Sequence, residues 1–235
     1  MAAAVAGLPL LQLRAVIFDM DGVLIDSHPA HREAWRNFLR TLRREVPDDE
    51  LDYILDGRKR EDILRHFLGD ISSEQLKVYG QQKDAFFQKQ IRQVSATPGL
   101  LGFLTHLRKQ GIPMAVATSA SEMRTYATLE RLNLRTYFGA IITSSDVEVS
   151  KPAPAIYKLA CGRLGISPST AVAMEDAFSG VQAAKAAGLR CVAIPGNQNP
   201  SRLLAAGADF VIKDFRGLTL KELERDLQRQ PWRCA

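Results

Sequence analysis

The chain has 235 residues, 46% hydrophobic and 24% charged, enough to bury a substantial core either as one domain with an insert or as two. A net charge of +5 suits anionic ligands, but no block of like charges marks a nucleic-acid stripe, and the densest basic patch, RTLRRE at 40–45, reads as a solvated helix face. Three cysteines, Cys161, Cys191 and Cys234, have no metal-type spacing, which argues for a reducing compartment without disulfides or structural zinc.

The first segment, MAAAVAGLPLLQL at 1–13, is mildly apolar but lacks the basic start and the length of a signal peptide or membrane span, so a cytoplasmic protein is expected. From there short apolar runs at 14–18, 114–117, 140–142, 171–174, 191–194 and 210–212 alternate with helical stretches. That alternation predicts an α/β fold, a doubly wound and mostly parallel sheet. Helices at 99–110 and 155–164 end at Gly111 and Gly165, where glycine suits a left-handed cap. The region 28–95 breaks the pattern: it shows helical periodicity, as in Trp35, Phe38, Leu39 and Leu42, and no convincing strand. An inserted helical domain is expected there, within a core formed by 12–28 and 96–235.

In an open parallel sheet, ligands bind beyond the carboxyl ends of the strands. Asp19 and Asp21 follow the first run, Thr118 and Ser119 the second, and Glu175 and Asp176 the fourth, while Lys151 stands before that fourth unit in SKPAP. Taken singly, a strand ending in an Asp/Gly turn, a Thr-Ser pair or a lysine is ordinary surface chemistry. Taken together they fit phosphoryl transfer. Carboxylate oxygens are the hard ligands that Mg²⁺ prefers, and the ion would relieve repulsion among Asp19, Glu175 and Asp176. Asp19 is then the nucleophile, Asp21 the group that protonates the leaving oxygen and deprotonates the next acceptor, and Thr118 or Ser119 with Lys151 the holders of the phosphoryl oxygens.

FDMDG, VATS, SKPAP and MEDAFSG resemble, in order, the four motifs of the haloacid dehalogenase superfamily of phosphohydrolases, a likeness that runs from about residue 14 to 214. The resemblance implies a Rossmann-type core with a small helical cap at 29–95. It also implies an aspartyl-phosphate on Asp19, acid–base work by Asp21, and Mg²⁺ held by Asp19, Asp21, Glu175 and Asp176, Asp21 through its backbone carbonyl.

In the insert, SHPAHREAW, GRKRED and QQKDAFF resemble the cap segments of β-phosphoglucomutases, and by that resemblance His31, Arg60 and Lys83 face the substrate. Independently, a helix at 74–94 has a stripe of Leu76, Tyr79, Lys83, Phe87, Gln90 and Val94, so Lys83 is either a ligand or a snorkelling side chain. His31, one turn before Trp35, is either a packed hinge residue or a ligand, and Arg60 either a surface residue or a phosphate fork. SEMRTY, after the second motif, departs from the mutase pattern by an insertion. The expected function is Mg²⁺-dependent phosphoryl transfer on a small phosphorylated metabolite, a sugar phosphate, by a phosphatase. A mutase acting on β-glucose-1-phosphate is the alternative, and a dehalogenase or a phospho-receiver switch are remoter rivals. The expected partner is that metabolite alone, with neither nucleic acid nor membrane, for a monomer or weak homodimer.

Overall fold

The computed structural model describes residues 12–55, 57–196 and 199–229. Residues 1–11 and Cys234 lie outside the described residues, while Cys161 and Cys191 are buried and unbridged. Six strands, β1 (Ala15–Phe18), β4 (Met114–Ala117), β5 (Ala140–Ile142), β6 (Ala171–Glu175), β7 (Arg190–Ala193) and β8 (Phe210–Val211), form one parallel sheet in the order β5-β4-β1-β6-β7-β8. Each lies within one residue of the bounds expected from the apolar runs. The chain winds outward from β1 through β4 to β5, then returns to β6 on the other side of β1, which opens a crevice at the carboxyl ends of the central strands.

The two faces of the sheet are built differently, and the period of two along each strand sorts them. Val16, Phe18, Val116, Val172, Met174 and Val192 point to one face. There they pack on Phe103, Leu104 and Leu107 of α5 (Leu100–Lys109), Leu129 of α6 (Glu122–Arg131), and Leu223 and Leu227 of α10 (Leu220–Gln228). Ala15, Ile17, Ala115, Ala117, Ala171, Ala173 and Ala193 point to the other. Small residues there let α7 (Ala155–Leu164) and α8 (Phe178–Ala186) lie close on the strands through Ile156, Tyr157, Ala160 and Val181. A ninth helix, α9 (Pro200–Ala205), covers β7 and β8 through Leu203.

The helical insert leaves and rejoins the sheet domain through a stem that hydropathy did not reveal. β2 (Ile25–Asp26) and β3 (Ser95–Ala96) pair antiparallel, and two residues are too few to show a period. Between them lie α1 (His28–Thr41), α2 (Asp48–Leu51), α3 (Arg60–Leu68) and α4 (Ser73–Gln90). These helices bury a cluster of their own from Trp35, Phe38, Leu39, Leu51, Ile63, Leu64, Phe67 and Leu76. α4 begins at a capping box in which Ser72 and Gln75 satisfy each other's backbone N–H groups. It stops at Gln90, short of the expected 94, and continues as a 3₁₀ turn over Ile91–Gln93. Among the described residues no helix is long and apolar enough to cross a membrane.

Candidate active site

Asp19 is the first residue past β1, its backbone N–H donating to Met174 O at 3.0 Å, so the strand pairing itself delivers the carboxylate to the sheet edge. Two residues on, Gly22 takes φ +75°, and a Cβ there would overlap the Asp176 carboxylate and the His28 ring. Only glycine lets the chain turn back so tightly beneath both groups. One cavity then collects residues from the sheet edge and the insert: Asp19, Asp21, Thr118, Ser119, Glu175 and Asp176 from one side, His31, Arg60, Lys83 and Asp84 from the other.

Lys151 is the hub of the buried part. Its ammonium donates to Asp19 Oδ1 at 2.5 Å, Glu175 Oε1 at 2.6 Å and Ala117 O at 3.1 Å. Tyr157 also donates to Glu175 Oε1, at 2.5 Å, and the N–H groups of Asp176 and Ala177 donate to Oε2. Burial disfavours the Lys151 charge, but the Asp19 and Glu175 carboxylates outweigh it and raise the pKa above the ordinary lysine value. Asp19 is pushed well above the usual carboxylate range, first by burial; Lys151 opposes this, and repulsion from Glu175, Asp176 and Asp21 adds to it. Asp176 is raised by burial against the pull of His28, whose Nε2 stands 2.6 Å from Asp176 Oδ2.

Asp21 sits in a different environment. Arg124 grips both of its oxygens, Nη1 to Oδ1 at 2.9 Å and Nη2 to Oδ2 at 2.5 Å, while Ser27 Oγ donates at 2.7 Å and His31 Nε2 lies at 3.1 Å. Burial would raise this carboxyl, yet Arg124 and His31 hold it well below the usual range. Burial, and then the charge of Lys83, bring His31 down to about 3, so at neutral pH the imidazole is uncharged. The Nε2–H tautomer suits Asp21 and Lys83: it donates to Asp21, and Nδ1 accepts from Lys83 Nζ at 3.4 Å. Lys83 is 4% exposed, which rules out snorkelling.

The remaining residues singled out from sequence are spread along the same cavity. Thr118 Oγ1 is buried and accepts from Ala120 N at 3.2 Å; Ser119 Oγ donates to Gly57 O at 3.0 Å, linking the strand end to the insert. Arg60 lines the cavity but bonds to Asp84 and, at 3.2 Å, Glu61. It lies flat on α4 at Gly80, where a Cβ would stand 2.6 Å from Arg60 Nε. Arg124 and His28 were missed from sequence. The signals were slight: a cation in the first turns of the helix after VATS, within the SEMRTY segment that broke the mutase pattern, and a histidine beginning the helix after DS.

The donor set suits a hard cation in part. Asp19 and Asp176 are buried carboxylates at neighbouring strand ends, and burial first, with repulsion from neighbouring carboxylates after it, keeps Asp19 from ionising readily, a condition that a divalent ion relieves. Glu175, expected among the ligands, is instead committed to Lys151, Tyr157 and two backbone N–H groups. Among the described residues no three His, Cys, Asp or Glu side chains already converge as a metal cluster. Mg²⁺ commonly takes only one or two carboxylates and completes its shell with water and substrate oxygens, which this pair allows.

The chain is similar to known proteins along most of its length. A phosphorylated carbohydrates phosphatase of Thermotoga maritima is 32% identical over 215 residues, covering 86% of this chain and 94% of that protein. Protein SUPPRESSOR OF QUENCHING 1 of Arabidopsis thaliana, described as chloroplastic, is 31% identical over 223 residues; the match covers 90% of this chain but only 21% of that longer protein. The solved structure of a HAD hydrolase from Entamoeba histolytica superposes with a TM-score of 0.83 at 28% identity, over 92% of this chain and all of that one. Residues 13–188 match the family model of the haloacid dehalogenase-like hydrolases, and the chain belongs to that family.

Proposed function

We propose that the protein is a Mg²⁺-dependent phosphatase of small phosphorylated metabolites, sugar phosphates above all, working through an aspartyl-phosphate on Asp19. The observation that carries this reading is the Asp19 carboxylate, buried at the end of β1 and facing one cavity with Lys151, Thr118 and Asp176 around it. An Asp19 oxygen attacks phosphorus, the bond from phosphorus to the ester oxygen breaks, and the leaving oxygen takes a proton from Asp21, which carries one only once Arg124 no longer holds its carboxylate ionised. Water then gives a proton to Asp21 and attacks phosphorus; the Asp19–phosphorus bond breaks, releasing phosphate and restoring the carboxylate. Lys151 and the Thr118 or Ser119 hydroxyl hold the phosphoryl oxygens, and Asp19, Asp176 and the Asp21 carbonyl would hold Mg²⁺. The ion, when bound, supplies positive charge to the phosphoryl group and to the carboxylates that crowd it.

The helical segment 29–95 serves in this reading as a cap over the core of 12–28 and 96–235, its own apolar cluster letting it move as a unit. It meets the core through Lys59 Nζ to Glu148 O at 3.1 Å, Ser119 to Gly57 O, His31 to Asp21 at 3.1 Å and Arg131 to Val94 O at 2.7 Å, and through Phe87, which packs in the core's apolar cluster. Hydrolysis is favoured over isomerisation by Arg60. By the mutase resemblance Arg60 is the cap cation that would grip a second phosphate, and here it is tied to Asp84 and Glu61. The similarity to a phosphorylated carbohydrates phosphatase supports the substrate class. A screen of sugar phosphates with Mg²⁺, following phosphate release and β-glucose-1-phosphate isomerisation side by side, tests the proposal. Release without isomerisation is expected; isomerisation without release would replace the phosphatase by a mutase.

A further inference from the structure

The first turn of α1 directs its polar side chains at the core and not at its own backbone. Ser27 stands at the N-cap, where a serine ordinarily accepts from a backbone N–H of the first turn, but its φ of −106° and ψ of −7° are helical and its side chain makes no cap. The hydroxyl donates instead to Asp21 Oδ1 at 2.7 Å. His31, one turn on, reaches the same carboxylate at 3.1 Å, and between the two His28 faces another: its Nε2–H donates to Asp176 Oδ2 at 2.6 Å. One helix start in the insert therefore holds the acidic groups that follow both β1 and β6.

The His28–Asp176 pair is enclosed, with side chains 14% and 5% exposed. Gly22 passes so close that a Cβ there would overlap both the Asp176 carboxylate and the His28 ring, and a Cβ at Gly196 would stand 3.8 Å from His28 Nδ1. Backbone thus borders the imidazole at both nitrogens. A hydrogen bond from a ring so confined fixes the rotation of the carboxylate that accepts it. A side chain that still rotates must be frozen when it takes an ion, whereas one already held has lost that freedom beforehand.

We propose that His28 is a positioning residue for the metal: it holds the Asp176 carboxylate ready for Mg²⁺ and, because it opens α1, couples ion affinity to the placement of the insert's first helix. The proposal rests on the reading that Asp19 and Asp176 hold Mg²⁺, and adds to that site a residue from the insert. Such coupling is reciprocal. Whatever fixes the start of α1 against the core tightens the ion, and the ion in turn fixes the start of α1.

Calorimetric titration of substrate-free protein with Mg²⁺ tests this, on wild type, His28→Ala and His28→Gln, with hydrogen exchange of α1 followed with and without the ion. Removing the outer partner of a metal ligand typically costs about 10–100-fold in affinity, so Kd should rise by about tenfold or more in His28→Ala. His28→Gln, whose amide N–H can replace the Nε2–H, should recover most of that loss. His28→Phe, which keeps a ring without the donor, repeats the alanine reading should alanine disturb the fold. In the wild type, Mg²⁺ should slow exchange at the start of α1, and the slowing should vanish in His28→Ala. A Kd unchanged in His28→Ala and His28→Phe overturns the proposal, and a lower one overturns it by showing that His28 competes with the ion. A loss that glutamine does not relieve makes His28 a packing residue, and α1 exchange indifferent to Mg²⁺ in the wild type removes the coupling. Wild type that bound no Mg²⁺ would fail the metal reading itself, whereas equal binding by wild type and the variants would remove only this inference.

Discussion

The Lys151 ammonium lies 2.5 Å from Asp19 Oδ1, and the same nitrogen is 2.6 Å from Glu175, so one lysine with a side chain 1% exposed bridges two buried carboxylates. Replacing it by methionine keeps much of the volume and leaves Asp19 and Glu175 facing each other without a cation. Breaking a buried pair in this way typically costs about 3–5 kcal/mol. Chemical denaturation of Lys151→Met should show a loss of that order, and phosphate release should fall by orders of magnitude. A Lys151→Met protein as stable as wild type would show that these buried ion pairs contribute nothing net to the fold.

Asp176 and Glu175 are adjacent, yet they should behave oppositely toward Mg²⁺. Asp176 faces the cavity beside His28, whereas both oxygens of Glu175 are occupied inside the fold. If Asp19 and Asp176 hold the ion, added Mg²⁺ should raise the Tm of the wild type by linkage, and Asp176→Asn should lose most of that rise. Glu175→Gln should start from a lower Tm and keep the rise. Scanning calorimetry with and without Mg²⁺ reads both, and the reverse pattern would return Glu175 to the metal.

Much of this was legible before any coordinates, and the reasons are local. Strands such as Ala15–Phe18 and Ala171–Glu175 are buried on both faces and so appear as continuous apolar runs, and the acidic pairs announce themselves by standing at the ends. Lys83 was legible as a cation within an apolar stripe. What stayed hidden depends on distant partners. Arg124 reads as an exposed helix cation until α6 points it at Asp21, 103 residues earlier, and His28 meets Asp176 across 148. Glu175 looked like a metal ligand because its neighbour does; only the position of Tyr157 and Lys151 shows where its oxygens go. Arg60 looked free because Asp84 is 24 residues on, in another helix.

Gly80 is a small residue in the middle of α4, and its purpose is Arg60. Alanine there should help the helix by about 1 kcal/mol of propensity. A Cβ 2.6 Å from Arg60 Nε must instead push the guanidinium away from Asp84, at an overpacking cost of about 1–3 kcal/mol. Gly80→Ala is therefore expected to be neutral to mildly destabilising in denaturant, with kcat little changed, since Asp19 and Lys151 are untouched. A clear gain of stability would show that Arg60 has room to move.

Lys83 carries a conflict between stability and binding that pH can expose. Burial, and then the charge of Arg124, lower its pKa from 10.5 to about 8. Below pH 8 the ammonium is charged in both folded and unfolded chains, and the fold bears the whole penalty, on the order of 3 kcal/mol. Between pH 8 and 10.5 the unfolded chain holds more protons than the folded one, so this group makes stability rise with pH across that window. Lys83→Met removes the charge at every pH. It should be more stable than wild type at pH 7, and the difference should shrink as pH climbs from 8 toward 10.5. Phosphate-ester binding should move the other way: strong in wild type at pH 7, weaker as Lys83 loses its proton above pH 8, and weak throughout in Lys83→Met. Paired denaturation and binding curves at pH 7 and pH 9.5 decide the matter. A methionine variant that is less stable at pH 7 and binds as well as wild type would make Lys83 an ordinary packing residue.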